Sequence, residues 1–343
     1  MTFSSSAEST LRSRELRLVA RPQPALAPSC FAIGETIVAP PAPGELLARV
    51  AYASVDPYLR LYMTEARSGA NLIPLGGVIP GFAVAQVISS RHPGFTEGDW
   101  VVGRLGWQEI ATSDGEGLRP FDPSLGPLSA ALGVLGMPGL TAWAAIRRIA
   151  RPARGDTVYI SSAAGSVGSL AGQLARLAGC RVIGSTGNSD KLPWLEEIGI
   201  EAFDYKVHGV ASGLAELAPD GVDIVFDNVG GSHLEFALES LRRGGLVIAC
   251  GGISQYDSDR TTTGPRNLHL LFTRSITVRG FSNADFTDDY PACQQEISAL
   301  IRSGEVLYRE TIFEGLEAAP AAMIKLLIGE TTGKVVLRVG GDG

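Results

Sequence analysis

The stretch that most constrains this chain is 156–168, DTVYISSAAGSVG. Residues 157–161 (TVYIS) are short and rich in β-branched and aromatic side chains, the composition of a buried strand. A small-residue turn follows, Ser162-Ala-Ala-Gly165. From Ser166 to Leu177, Val167, Leu170, Ala171, Leu174 and Leu177 then recur at helical spacing. Strand, glycine turn and helix in that order make the first half of a dinucleotide-binding βαβ unit. Gly165 lets the backbone come close to a pyrophosphate, and Gly168 lets the helix pack against the strand. The free N–H groups at the helix start suit a phosphate anion. Ala163 stands where the G-x-G-x-x-G pattern has its first glycine. An ordinary strand–helix turn would carry the same two-glycine fragment, so the reading depends on its surroundings.

Those surroundings agree. Residues 180–185, 202–205, 222–226, 245–250 and 276–281 read as further strands, and 191–198, 210–218 and 233–241 as helices between them. The alternation predicts an α/β fold: a doubly wound parallel sheet covered on both faces. Ligands of such sheets sit beyond the carboxyl ends of the strands. That rule nominates 164–168, 185–191, Tyr205, 228–231, 251–256 and 281–283.

At 343 residues the chain is long enough for two domains. Residues 1 to about 15 read as a disordered leader. From 44 to about 110 the texture is all-β, with short alternating runs at 45–52, 81–89 and 99–102 bounded by Pro and Gly. Pro57 fixes a turn at 53–58. Helical periodicity resumes at 128–135, and 137–143 leads into another helix. After the sixth strand, 290–302 reads as a helix, and 309–313 and 333–339 as strands that return to the β domain. The net charge of −7 carries no basic footprint for nucleic acid. The longest apolar runs fall short of a membrane span, and the polar start lacks a signal-peptide core, so a cytoplasmic enzyme is expected. Cys30, Cys180, Cys250 and Cys293 are scattered and read as free thiols.

An NAD site calls for a carboxylate near the end of the second strand, where it binds the ribose 2′-hydroxyl. Residues 185–189 read STGNS, and the first acid, Asp190, is followed at once by Lys191. A missing carboxylate beside a cation favours a 2′-phosphate, hence NADP(H). The alternative is that Lys191 is a solvated helix charge. His92, His208, His233 and His269 sit near no cysteine, so a zinc ligand set is not expected, and they read as surface or loop histidines. Without a Lewis acid, hydroxyl donors must polarise a carbonyl. Tyr58, Tyr62 and Tyr256 are the candidates; the alternative is that they wall an apolar pocket. Asp56 reads as a cap of the turn before Pro57, and Asp227 as shaping its loop.

The motifs SVDPYLR (54–60), MPGLTAW (137–143), AAGSVGS (163–169), FDNVGG (226–231) and CGGISQY (250–256) resemble the medium-chain dehydrogenase/reductase superfamily. The likeness is to its zinc-free branch of alkenal, prostaglandin and curcumin-type NADPH-dependent double-bond reductases. The resemblance implies a GroES-like catalytic domain over 1–128 and 303–343 and a Rossmann NADP-binding domain over 129–302. It also implies a homodimer, and hydride transfer to the β-carbon of an enal or enone. By the same resemblance Gly165, Ser166, Val167 and Gly168 form the pyrophosphate loop, Lys191 holds the 2′-phosphate, and Tyr205 lies beside the adenosine. Asn228 reaches the cofactor, Cys250, Gly251, Ile253, Ser254 and Tyr256 line the nicotinamide side, and Phe281, Ser282 and Asn283 the next strand end. The family often has an asparagine before a C-terminal Gly-Lys, where this chain has Thr331. Some members carry a tyrosine before the sixth strand, where this chain reads 271–274, LFTR, around Thr273. Two other readings stay open: a quinone reductase of the same superfamily, and a dinucleotide-binding protein with little turnover.

Overall fold

The computed structural model describes residues 11–23, 25–65, 71–256 and 264–340. β1 (Leu11–Leu18) pairs antiparallel with β2 (Phe31–Val38). The expected leader is corrected here: from Leu11 onward it is a strand, while its first ten residues lie outside the described ones. Polar residues on its buried face disguise it. Ser13 and Glu15 are buried beside Leu16 and Leu18. Ser13 Oγ donates to the Ile110 carbonyl at 3.2 Å and accepts from the Ile110 N–H at 3.0 Å. Glu15 accepts from Arg17 Nε at 2.6 Å. β3 (Leu46–Ser54), β4 (Ala83–Ser90), β5 (Trp100–Gly103), β6 (Ile110–Ser113) and β7 (Arg119–Pro120) build an antiparallel sheet.

The second sheet comprises β8 (Thr157–Ile160), β9 (Arg181–Thr186), β10 (Glu201–Asp204), β11 (Val222–Asp227), β12 (Leu241–Ala249) and β13 (Thr277–Gly280). All its pairs are parallel, and the order is β10-β9-β8-β11-β12-β13, the doubly wound order that reverses beside β8. Side chains alternate between two cores, as burial on both faces requires. Val158, Ile160, Phe226 and Ile248 pack with Leu170 and Leu174 of helix Ser166–Leu177. Tyr159, Ile183, Val225 and Val247 pack with Leu214 and Leu238 on the other face.

β14 (Glu310–Glu314) and β15 (Lys334–Arg338) then rejoin the first sheet, β15 antiparallel to β3 with Val336 opposite Ser54. Helix Ala319–Leu327, which the strand–turn texture hid, lies between them and buries Ala319, Ala322 and Met323. The return of β15 brings Gly333, just before it, beside Gly165 at the carboxyl edge of the parallel sheet.

Candidate active site

A cleft of about 570 Å³ runs from the turn at Asp56–Tyr58 across the carboxyl ends of the parallel strands. At its centre lies the glycine turn. Ser162 sits in the left-handed region at φ 54°, an uncommon place for a non-glycine residue and a mark of a constrained turn. A Cβ on Gly168 would lie 2.5 Å from the Ser162 carbonyl oxygen and 2.9 Å from Ala163 Cα, so only glycine lets the helix approach. At Gly165 an added Cβ would meet Ser162 O at 3.3 Å, a milder contact. Ala163, in place of the first glycine, is fully buried. Its methyl fits because β9 has glycine opposite: a Cβ on Gly184 would lie 2.6 Å from Ala163 Cβ. Gly165, Ser166, Val167 and Gly168 all line the cleft. The Ser166 hydroxyl is buried there without a hydrogen-bond partner.

Lys191, Tyr205, Lys206 and His233 line one end. Lys191 Nζ donates to the Thr331 carbonyl at 2.6 Å. Burial, and then the nearby charge of Lys206, hold the Lys191 ammonium below the usual lysine range. Asp204 joins the loops after β9 and β10, accepting from Ser189 Oγ at 2.8 Å and the Lys206 N–H at 2.9 Å. Tyr205 meets His233 edge-on at 4.4 Å between ring centroids. His233 is no surface or loop histidine: it is buried on helix Gly231–Ser240, with Nε2 unpartnered. Burial pushes its imidazole down to about 4. Lys206 and His233 were missed by sequence reading. The acid-or-cation rule looks only after the second strand, whereas Lys206 follows the third, and no spacing singles out one histidine among helical residues.

The opposite side is walled by Asn228, Cys250, Gly251, Ile253, Ser254 and Tyr256. Asn228 Nδ2 donates to the Ser161 carbonyl at 2.8 Å. Buried Asp227 accepts from Ser161 Oγ at 2.8 Å and from the N–H groups of Val229 and Gly230 at 3.1 and 2.9 Å, so it shapes this loop. Ser254 Oγ donates to the Val229 carbonyl at 2.6 Å, and the Tyr256 hydroxyl accepts from the Gly252 N–H at 3.3 Å. Burial pushes the Cys250 thiol up to about 12, so it stays protonated.

Tyr58 faces this cleft across from the glycine turn, with Met137, Pro138 and Thr141 beside it. The MPGLTAW motif therefore supplies wall residues that were not assigned from sequence. The Tyr58 hydroxyl is buried with no hydrogen-bond partner. Burial first, and then the charge of Asp56, raise it well above the ordinary phenol range. Tyr62 is not on the wall; it buttresses Tyr58 edge-on at 5.5 Å. Thr331 lines the cleft, as do Leu326 and Leu327 of the unforeseen tail helix.

Phe281, Ser282 and Asn283 are not brought to the cleft wall. Phe281 packs edge-on against Phe286 at 6.0 Å, and Ser282 Oγ accepts from the Ala284 N–H at 3.2 Å to cap the 3₁₀ segment Asn283–Asp289. The physical reason is position: they follow the outermost strand, two strands from the reversal point beside β8. Thr273 also lies off the wall, on helix His269–Thr273, its hydroxyl donating to the His269 carbonyl at 3.0 Å. Among the described residues, no three His, Cys, Asp or Glu side chains gather as a metal site.

Comparison with known proteins fits this architecture. Residues 14–121 match a family described as the N-terminal domain of oxidoreductase, and 166–299 one described as zinc-binding dehydrogenase. The zinc of the second description finds no ligand cluster among the described residues. The NADPH-dependent curcumin reductase of Escherichia coli (strain K12) is 37% identical, over 96% of this chain and 98% of that one. The 2-alkenal reductase (NADP(+)-dependent) of Nicotiana tabacum is 38% identical, over 88% of this chain and 89% of its own length. The crystal structure of CurA in complex with NADPH from Vibrio vulnificus superposes with a TM-score of 0.89 at 37% identity, covering 96% of this chain and 100% of that one. The chain belongs to the medium-chain dehydrogenase/reductase superfamily, in its branch of NADPH-dependent double-bond reductases.

Proposed function

We propose that this protein uses NADPH to saturate the C=C bond of an α,β-unsaturated aldehyde or ketone, leaving the carbonyl intact. One observation carries the reading: a single cleft joins the glycine turn to a buried, unpartnered tyrosine hydroxyl. The names of the similar proteins, curcumin reductase and 2-alkenal reductase, point the same way.

The residues present fit the cofactor. The turn leaves backbone room at Gly165, and the orphaned Ser166 hydroxyl offers a donor to a pyrophosphate. Lys191 and Lys206, two cations lining one end of the cleft, suit a 2′-phosphate. Tyr205 and His233 would take the adenosine. Asn228, Cys250, Gly251, Ile253, Ser254, Tyr256 and Thr331 would hold the nicotinamide end. When bound, NADPH supplies the hydride that reaches the substrate's β-carbon.

The protein's part is orientation and electrostatics. Tyr58 keeps its proton because burial disfavours the phenolate. It can therefore donate a hydrogen bond to the carbonyl oxygen as negative charge develops there. In an isolated ketone that charge is a full alkoxide; in a conjugated enone it is spread into an enolate, which a neutral hydroxyl suffices to hold. Water or a tyrosine then protonates the α-carbon. Met137, Leu326 and Leu327 give the cleft apolar surface for the rest of the substrate.

The domain division we assign is 1–128 with 303–343, and 129–302. We place the protein in the cytoplasm, since free cysteines suit a reducing compartment. We also assign it a homodimer. β13 is a sheet edge, with Val278 47% and the adjoining Phe272 78% exposed, and such an edge suits pairing with a second copy.

The test is an acceptor panel: NADPH oxidation followed by absorbance with an enone, a quinone or no acceptor. With 4-deuterated NADPH, mass spectrometry should find deuterium on the β-carbon of a saturated carbonyl compound. Deuterium on the carbinol carbon of an allylic alcohol would overturn the proposal.

A further inference from the structure

Asp56 and Lys334 form a buried ion pair in the wall of the cleft. Lys334 Nζ lies 2.8 Å from Asp56 Oδ1, and the two side chains are 5% and 6% exposed. The same ammonium donates to the Val55 carbonyl at 2.9 Å. The second carboxylate oxygen of Asp56 accepts from Ser54 Oγ. Both carboxylate oxygens are thus engaged and the ammonium makes two hydrogen bonds, which helps keep the buried charges tolerable.

Its connectivity is unusual for a turn cap. Asp56 lies in the turn that carries Tyr58, and Lys334 opens β15, 278 residues away. The backbone repeats the tie: the Val55 N–H donates to the Val335 carbonyl at 3.1 Å. Within the turn, Leu59, Arg60 and Leu61 donate to the carbonyls of Asp56, Pro57 and Tyr58 at 3.1, 3.1 and 2.9 Å. Any shift of Asp56 thus carries the Tyr58 ring with it. Room for the lysine stem is built in: a Cβ on Gly133 would lie 3.3 Å from Lys334 Cβ and Cγ. Replacing a buried ion pair with apolar groups is often neutral or stabilising, so stability alone is a poor reason for charges here.

We propose that the Asp56–Lys334 pair is a positioning device: it fixes the Tyr58 turn so that the tyrosine hydroxyl reaches the substrate's carbonyl oxygen. Lys334 also offsets part of the carboxylate's charge beside the place where the enolate oxygen develops. An uncancelled carboxylate there would repel that oxygen. The inference rests on the donor role proposed above for Tyr58, and neither Asp56 nor Lys334 touches the reacting atoms.

The experiment is a mutant cycle on enone reduction with the full-length protein. Lys334→Met leaves a lone buried carboxylate and is itself destabilising, so Asp56→Asn/Lys334→Met, which is neutral, is measured beside it. In the neutral double variant, kcat and kcat/KM should fall together by about 10–100-fold, the scale of a small misplacement of a reacting group. The dissociation constant for NADPH should stay within about two-fold. In a Tyr58→Phe background the same two substitutions should cost less than about two-fold more, because the pair acts through that hydroxyl. An unchanged kcat in Asp56→Asn/Lys334→Met, or an undiminished loss in the Tyr58→Phe background, overturns the positioning role. An unchanged kcat in Tyr58→Phe alone overturns the donor reading and the inference with it. The arms separate the two: a slow Tyr58→Phe beside a fast double variant removes only the positioning role.

Discussion

The choice between NADPH and NADH offers the sharpest single test, at Lys191. Its ammonium is half-buried, in reach of the Thr331 carbonyl and within the field of Lys206. Lys191→Ala removes one charge-assisted contact to a 2′-phosphate, worth about 1.5–3 kcal/mol. At 1.4 kcal/mol per tenfold, that is a rise of about 10–150-fold in the dissociation constant for NADPH. Lys206 is exposed, so Lys206→Ala should cost less, about 1 kcal/mol or under. The lost bond to Thr331 O costs about 1 kcal/mol of folding stability, but that loss is common to both cofactors and cancels in their ratio. The ratio of NADPH to NADH affinity, from isothermal titration at fixed salt, is therefore the readout. It should collapse in Lys191→Ala while NADH binding hardly moves. Added salt should erode the wild-type preference as the contact is screened. The lowered proton affinity of Lys191 gives the pH sign: the preference for NADPH fades on the alkaline side sooner than an ordinary lysine would allow. Equal losses for NADPH and NADH in Lys191→Ala would refute the assignment.

Four further outcomes are expected. Tyr58→Phe should lower kcat by about 10–1000-fold, between the general-acid and oxyanion-donor ranges, with little change in NADPH affinity by titration. Gly168→Ala, whose methyl would sit 2.5 Å from a carbonyl oxygen, should lower Tm, while Gly165→Ala should fold normally and weaken both cofactors alike in a binding assay. His233, held near 4 against 6.5 when unfolded, contributes stability that is fully present above pH 6.5 and is lost as pH falls toward 4. The contribution is roughly 3 kcal/mol, and denaturant midpoints against pH should lose this slope in His233→Gln. Light scattering at micromolar concentration should give a dimer, and Val278→Asp at the exposed sheet edge should shift it toward monomer.

The parallel sheet was legible because burial on both faces leaves short apolar runs, such as 158–160 (VYI) and 224–226 (IVF). β1 was not, because Ser13 and Glu15 face inward and are satisfied by Ile110 and Arg17, partners that no local pattern reveals. The tail helix Ala319–Leu327 did leave a trace, Pro320 in its first turn and buried positions at helical spacing, which the neighbouring strands obscured. At the site, the strand-end rule names residues that the cleft brings together: the turn, Lys191, Tyr205 and the loop after β11. It also names Phe281, Ser282 and Asn283, which do not line the cleft, because it weighs every strand equally. The crevice depends on distance from the order reversal, which is a property of topology and not of any one strand.

Most opaque of all was how the last strand completes the cleft. Three neighbouring residues do so: the Thr331 carbonyl receives Lys191, the Gly333 N–H donates to the Ala164 carbonyl at 2.9 Å, and Lys334 reaches Asp56. The Lys191 end of the cleft, the glycine turn and the tyrosine turn are thus each tied to one short segment. Gly333 is required there on two counts: its φ is 69°, and a Cβ would lie 1.9 Å from the Arg309 carbonyl oxygen. The tie at residue 331 is made by a backbone oxygen, which every amino acid supplies. A threonine where the family resemblance leads one to expect asparagine therefore leaves the lysine contact intact and alters only what the side chain presents to the cleft. Thr331→Asn should accordingly preserve the NADPH/NADH ratio, and any effect should appear in the substrate's KM. A change in the cofactor ratio would mean that the side chain, and not the carbonyl, governs the Lys191 end.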